Sequence, residues 1–150
     1  MIGNIKIIAV CMCKVYDERN YRIIRALNNF AVENDYRLFV YHTCSDLYWK
    51  TLSEKGEQSV FDLIDYNITD AVVTFEEGVY AENVMTKNRM DAAKYGKPVI
   101  SVGVEHDDCI SIKFGYAKGF EQVVRHVIEQ HGVRDIGFIA GRKDEENSEE

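Results

Sequence analysis

Cys11, Met12 and Cys13 set two thiols one residue apart at the end of an apolar run, and His42 and Cys44 repeat that spacing in "RLFVYHTC". Thiolates and imidazoles are the ligands of structural zinc, so four such groups on neighbouring strands could suggest a metal site. Strand geometry argues against it. Residues i and i+2 on a strand lie about 6.6 Å apart, whereas sulfurs sharing one zinc, each about 2.3 Å from it, lie nearer 4 Å from each other. Free cysteine is also among the most buried residue types. Cys11 and Cys13 are therefore expected to be packed strand residues. Zinc held by Cys11, Cys13, His42 and Cys44 is the lesser alternative, and no cofactor is expected.

Four further groups could carry chemistry. Tyr16, Asp17, Asn20 and Tyr21 follow the first apolar run. They can offer amphipathic rings and a carboxylate to a ligand, or Asp17 can simply cap the helix that follows. Asp46, Tyr48 and Trp49 follow the second run, where the indole could stack on a ring or lie as a lid over a helix. Glu76 and Glu77 could bind a cation or act as acid and base, although adjacent turn residues rarely aim at one atom and solvated charge is the simpler reading. His106, Asp107 and Asp108 could form a catalytic cluster, with no identifiable partner. His126 and His131 read as surface residues. No Gly-x-Gly-x-x-Gly, P-loop or Gly-x-Ser-x-Gly is present, so the common nucleotide-binding and hydrolase signatures are missing.

Alternating strand and helix patterns must position these groups. Lys6 to Cys13 is apolar throughout, as a strand buried on both faces requires. Asp17 to Asp35 follows with Ile23, Ile24, Leu27, Phe30 and Ala31 at helical spacing. Arg37 to Thr43 predicts a second strand, Cys44 to Lys55 a polar loop, and Glu57 to Asn67 a helix with Val60, Phe61 and Ile64 inward. Ala71 to Phe75 predicts a third strand and Tyr80 to Tyr95 a helix. The only proline, Pro98, opens the fourth strand, and Ile110 to Lys113 is a short extra one. Gly119 to His131 predicts a helix with Phe120, Val123, Val124, Val127 and Ile128 on one side, closed by Gly132. "DIGFIA", Asp135 to Ala140, predicts the fifth strand. This alternation implies an α/β fold, a doubly wound parallel sheet of about five strands in order 2-1-3-4-5 with helices on both faces. Ligands of such sheets bind outside the carboxyl ends of the strands.

The 150 residues suffice for one domain, read as residues 1–141 with a charged tail at 142–150. The formal charge of −7 disfavours nucleic acid and anionic membranes as direct partners. No apolar run is long enough to span a membrane. The start "MIGNIKIIAV" lacks a basic n-region and a cleavage site, and four unspaced cysteines fit reduced thiols. A cytoplasmic location is expected.

The chain resembles the amino-terminal lobe of the ligand-sensing domain of lactose-repressor-type regulators, which are related to sugar-binding periplasmic proteins. The resemblance rests on four stretches. They are the opening "IAVCMCKVYDERNYRIIRALNNFAVENDYRLFVYHT", "YNITDAVVTF", "AAKYGKPVISV" and, most specific, "GFEQVVRHVIEQHGVRDIGFIAGRKDEENSEE", where Gly141, Asp144 and Ser148 hold the places of a Gly-x-x-Asp-x-x-x-Ser pattern. Departures are visible. Gly103-Val104 stands where the family often has Asp-Arg, Gly115-Tyr116 stands where it has Asp-Asn, and, with Met1 almost directly on the first strand, no DNA-binding head is expected.

The resemblance implies one lobe of a two-lobed sensor. A small polar, sugar-like molecule would bind between this lobe and a second one, and an output module would follow. Tyr16, Asp17 and Tyr21, then Trp49 and Glu76, are the expected ligand contacts, and a homodimer is the expected assembly. No catalysis is expected of this segment. The competing readings are a receiver-like or protein-interaction module, whose phospho-acceptor would have to be Glu76, and a small α/β enzyme using His106.

Overall fold

The computed structural model describes residues 5–77 and 79–139, apart from the side chain of Glu82. Strand β1 (Lys6–Cys13) lies inside a parallel sheet, with β2 (Tyr36–Thr43) on one side and β3 (Ala71–Phe75) on the other; β4 (Val99–Val102) and β5 (Ile110–Ile112) follow. The strand order is β2-β1-β3-β4-β5. The continuous apolar run of β1 is explained by this central place. Residues Ala9 to Met12 are fully buried, although their side chains alternate between the two faces.

Register sorts the two faces. Cys11 pairs with Thr74, Thr74 with Ser101, and Ser101 with Ser111, so four small polar or thiol side chains form a row across the sheet. Helix α3 (Glu82–Lys94) and the 3-10 turn at Ser59–Leu63, which directly follows helix α2 (Leu52–Gln58), belong to this side. Phe61, Ile64, Met85 and Ala92 pack with Ala9, Cys11 and Val72 in one cluster. Val10 and Met12 point the other way and are equally buried, on the side of helix α1 (Glu18–Glu33), which packs along β2.

Local sequence explains the joints. Asp70 accepts from the Ile7 backbone N–H at 2.7 Å while its own N–H donates to the Ile7 carbonyl, tying the "ITD" turn to the start of β1. Gly96 takes a left-handed φ of 65° after α3, and the N–H groups of Gly96 and Lys97 donate to the Ala93 and Ala92 carbonyls. Pro98 then directly precedes β4, its carbonyl accepting from Val72 N–H. Helix α2 begins at Leu52, earlier than the helix expected from Glu57. A capping box sets that start, with the Thr51 side chain accepting from Glu54 N–H and the Glu54 carboxylate from Thr51 N–H. At Asp17 the expected cap is not formed. Asp17 holds the N-cap position of α1, but its side chain makes no capping hydrogen bond. Phe30, expected on the inward stripe of α1, is 67% exposed.

The chain divides into two compact units at Lys113/Phe114. The whole sheet belongs to the first. The second carries α4 (Tyr116–His131), closed by Gly132 in a left-handed conformation with its N–H on the Ile128 carbonyl. The expected strand at Asp135 to Ala140 is corrected here. Residues 132–139 have no strand pairing, and the fifth place in the sheet is held by Ile110–Ile112. Within this unit Phe120 contacts Phe138 at 5.2 Å between centroids, and Phe120 and Ile128 remain about half exposed. Ala140, Gly141, Asp144 and Ser148 lie outside the described residues. Among those described, no helix is long and apolar enough to cross a membrane.

Candidate functional site

Parallel strands bring the loops after β1, β2, β3 and β4 to one end of the sheet, and side chains lock those loops together. Lys14 Nζ binds Asp46 at 2.7 Å, joining the first two loops. This contact raises the Lys14 pKa and lowers that of Asp46. Tyr80 N–H donates to the Asp46 carbonyl at 3.0 Å, bringing in the third loop. Arg19 on α1 reaches Glu77 at 2.8 Å. Gly103 brings in the fourth. Its φ of 102° and its approach to Glu77, whose Cβ would lie 2.5 Å from any added Cβ, leave no room for a side chain. Asn20 pins the first loop from below, donating to the carbonyls of Cys13 and Lys14.

Aromatic rings rim this end. Tyr16 is 77% exposed and meets His42 edge-on at 5.4 Å. Trp49, also 77% exposed, contacts Tyr48 at 4.9 Å, and Tyr48 contacts Tyr80 at the same distance. Among the described residues four non-glycine residues have positive φ, and three of them, Lys14, Leu47 and Lys50, lie in these loops. Such backbone conformations cost energy and concentrate where a site must be held in shape. Asp17 and Tyr21 are exposed at the start of α1, with Tyr21 N–H bonded to the Asp17 carbonyl. Tyr16, Asp17, Tyr21 and Trp49 therefore all stand on the surface at this end of the sheet.

Glu76 does not share that exposure. It is 8% exposed and its carboxylate is fully engaged beneath the mouth. Arg89 Nη1 donates to both oxygens at 2.8 and 2.7 Å, Thr74 Oγ1 donates to Oε1 at 2.6 Å, and His106 Nε2 lies 2.9 Å from Oε2. Arg89 Nη2 donates to Thr86, while Nε, buried without a hydrogen bond, has Asp108 Oδ1 at 3.7 Å. The His106 loop is held in turn by Ser111, whose Oγ accepts from His106 N–H, and by Ser101, which donates to the Val104 carbonyl. The polar row of the sheet thus continues into a buried ionic cluster. It immobilises the loops after β3 and β4 against α3. The acids after β3 are not the solvated charges that their adjacency suggests.

Sequence reasoning picked out Glu76 and His106 separately and missed Arg89, the main counter-charge of Glu76. The signal available was the thirteen-residue separation of an acid at a strand end and an arginine on the next helix, too generic to be specific.

The alternative zinc set is overturned by register. Cys11 pairs with Tyr41, Met12 with His42, and Cys13 with Thr43. His42 therefore projects from the face opposite the two cysteines. Cys44 is exposed in the loop beyond. Burial pushes the Cys11 thiol up to about 12 and Cys13 to about 11, which suits inert core thiols and not metal-binding thiolates. Among the described residues no group of three or more His, Cys, Asp or Glu is placed to hold a metal ion.

No protein-family model matches the chain, and no curated protein matches it. What the structure itself assigns is the architecture, a parallel α/β sheet flanked by helices of the broad Rossmann-like and periplasmic-binding-protein-like kind, a type often used to bind small molecules.

Proposed function

We propose that the chain is a sensing lobe of the lactose-repressor type, which binds a small polar molecule at the carboxyl end of its sheet and does not transform it. The observation that carries this reading is the pairing of two largely exposed rings, Tyr16 and Trp49, with a mouth whose loops are cross-tied by Lys14–Asp46 and Arg19–Glu77. Rings held ready on a rigid frame bind a polar ring at little entropic cost. A second lobe closing over this end would exclude water from the bound molecule, and ligand contacts to both lobes would shift the population toward the closed state. The occupied oxygens of Glu76 favour this over the receiver-like reading, because a phospho-acceptor must be reachable by its donor.

The test is titration of the intact polypeptide with a panel of monosaccharides, nucleosides and amino acids, read by calorimetry and by fluorescence of Trp49, the single tryptophan. One class is expected to bind saturably and to change the emission, and Tyr16→Ala is expected to weaken binding. Absence of saturable binding across the panel would count against the reading.

A further inference from the structure

On α4, His126 and His131 face each other through their ring nitrogens. The two Nε2 atoms are 3.2 Å apart while the ring centroids are 5.0 Å apart, so the nitrogens sit on the facing edges of rings inclined at 73°. An imidazole lone pair lies in the ring plane and points outward from the nitrogen. With the proton on Nδ1 of both rings, the two Nε2 lone pairs would open on the space between the rings. Two nitrogens bound to a tetrahedral cation at 2.0–2.1 Å stand about 3.3 Å apart, close to the observed separation. Ideal helical geometry would not bring residues five apart onto one face. His131 is the last helical residue, directly before left-handed Gly132.

We propose that His126 and His131 form a two-imidazole chelate for a divalent transition cation of the zinc or nickel class. The surroundings favour a cation. The site lies in the last turn of α4, where the free carbonyl ends of the helix carry partial negative charge. Neighbouring Arg125 is turned toward Glu121 at 2.6 Å and Glu129 at 3.5 Å, so its charge is partly neutralised by its own helix. Both histidines are exposed, which leaves the remaining coordination positions to water. Neutral imidazole suits zinc, copper and nickel, whereas calcium and magnesium demand oxygen ligands. The site is thus expected to discriminate between these two classes. This proposal uses α4 alone and does not depend on ligand binding at the mouth.

The competing explanation of the short contact is an N–H···N hydrogen bond between the two rings, with no affinity for metal. Calorimetric titration of the full chain with zinc chloride, nickel chloride and magnesium chloride in a non-chelating buffer distinguishes them. One zinc or nickel per chain is expected, with no response to magnesium and weaker binding on acidification, since ligating imidazole must be unprotonated. His126→Gln and His131→Gln are each expected to weaken binding by about tenfold or more, with helicity checked by circular dichroism. Imidazole nitrogen NMR of the unsubstituted chain should show Nε2 of both residues shifting on zinc addition, which keeps the test independent of how the variants fold. No binding at millimolar zinc, binding unchanged in both variants, or shifts confined to other residues would overturn the proposal.

Discussion

Arg89 Nη1 grips both carboxylate oxygens of Glu76, and each side chain is only 6% exposed. One residue lies on α3 and the other just past the end of β3, so the pair fastens a helix to the floor of the mouth. Thr74 and His106 complete the carboxylate's contacts. A charged pair in such a place holds geometry more than it adds stability, because desolvation offsets much of the attraction.

Removing one partner should therefore be far worse than removing both. Arg89→Ala leaves the Glu76 carboxylate buried with its main counter-charge gone, and is expected to cost about 3–5 kcal/mol. The double variant Arg89→Met, Glu76→Leu is expected to cost much less, because no uncompensated charge remains. Urea denaturation of both variants beside the parent checks this. An Arg89→Ala cost within about 1 kcal/mol of zero would show that water or Asp108 replaces the guanidinium.

Gly103 and Gly96 both have positive φ, yet their surroundings differ. At Gly103 an added Cβ would meet Glu77 Cβ at 2.5 Å and Glu77 N at 3.0 Å, while at Gly96 nothing lies within 4 Å. Gly96→Ala should cost only the left-handed strain, about 1 kcal/mol. Gly103→Ala must also push apart two loops of the mouth, adding about 1–3 kcal/mol for overpacking. Thermal or urea unfolding of the two variants should rank them in that order. Equal costs would mean that the loops after β3 and β4 yield freely.

The sheet was legible because its signals are local and mutually consistent. Apolar runs with turn residues between them placed β1, β2 and β3 to within a residue and set the start of β4 one residue early at Pro98, and the strand–helix alternation made the sheet parallel. Phe61 and Ile64 are buried as their spacing predicts. The failures have a common cause in partners that local sequence does not specify. "DIGFI" has strand composition, but composition supplies no neighbour to pair with. The start of α2 depends on Thr51 and Glu54 exchanging hydrogen bonds inside a stretch that reads as polar loop. Asn88 and Arg89, at 1% and 6% exposure, are buried because the sheet beneath them presents Cys11 and Glu76, a fact visible only in register. At the mouth, the positions of Tyr16, Asp17 and Trp49 follow from topology, whereas the Lys14–Asp46 and Arg19–Glu77 ties do not.

The capping box also supports Trp49. Glu54 is 4% exposed; one of its oxygens accepts from Thr51 N–H at 2.9 Å and the other from Trp49 N–H at 3.3 Å. Thr51→Ala removes only the cap hydroxyl and should cost about 1 kcal/mol. Glu54→Ala leaves two backbone donors without their acceptor and should cost about 2–3 kcal/mol. It should also change Trp49 emission in the folded state, because the loop carrying the indole loses its anchor. Unfolding curves and steady-state fluorescence of the two variants separate the effects. Unchanged emission in Glu54→Ala would show that the Tyr48 and Tyr80 contacts alone position the ring.

The buried thiols predict how stability falls in alkali. Cys11 is raised from 9.0 to about 12 and Cys13 to about 11, chiefly by burial. Each folded-state value lies above its unfolded one. The contribution is therefore fully present below pH 9.0 and is lost as the pH climbs, through about 11 for Cys13 and about 12 for Cys11. At about 1.4 kcal/mol per unit, the three-unit shift of Cys11 amounts to about 4 kcal/mol. Other groups titrate in the same range, so the informative quantity is the difference between the parent and Cys11→Ala. The parent should lose stability more steeply above pH 9.0, so that its margin over Cys11→Ala shrinks as the pH climbs toward 12. The same burial predicts that a disulfide reagent at pH 8 labels exposed Cys44 promptly and Cys11 only at the rate of unfolding. Prompt labelling of Cys11 would mean that β1 is not the sealed centre of the sheet, and the packing of α3 over Thr74 and Glu76 would have to be redrawn with it.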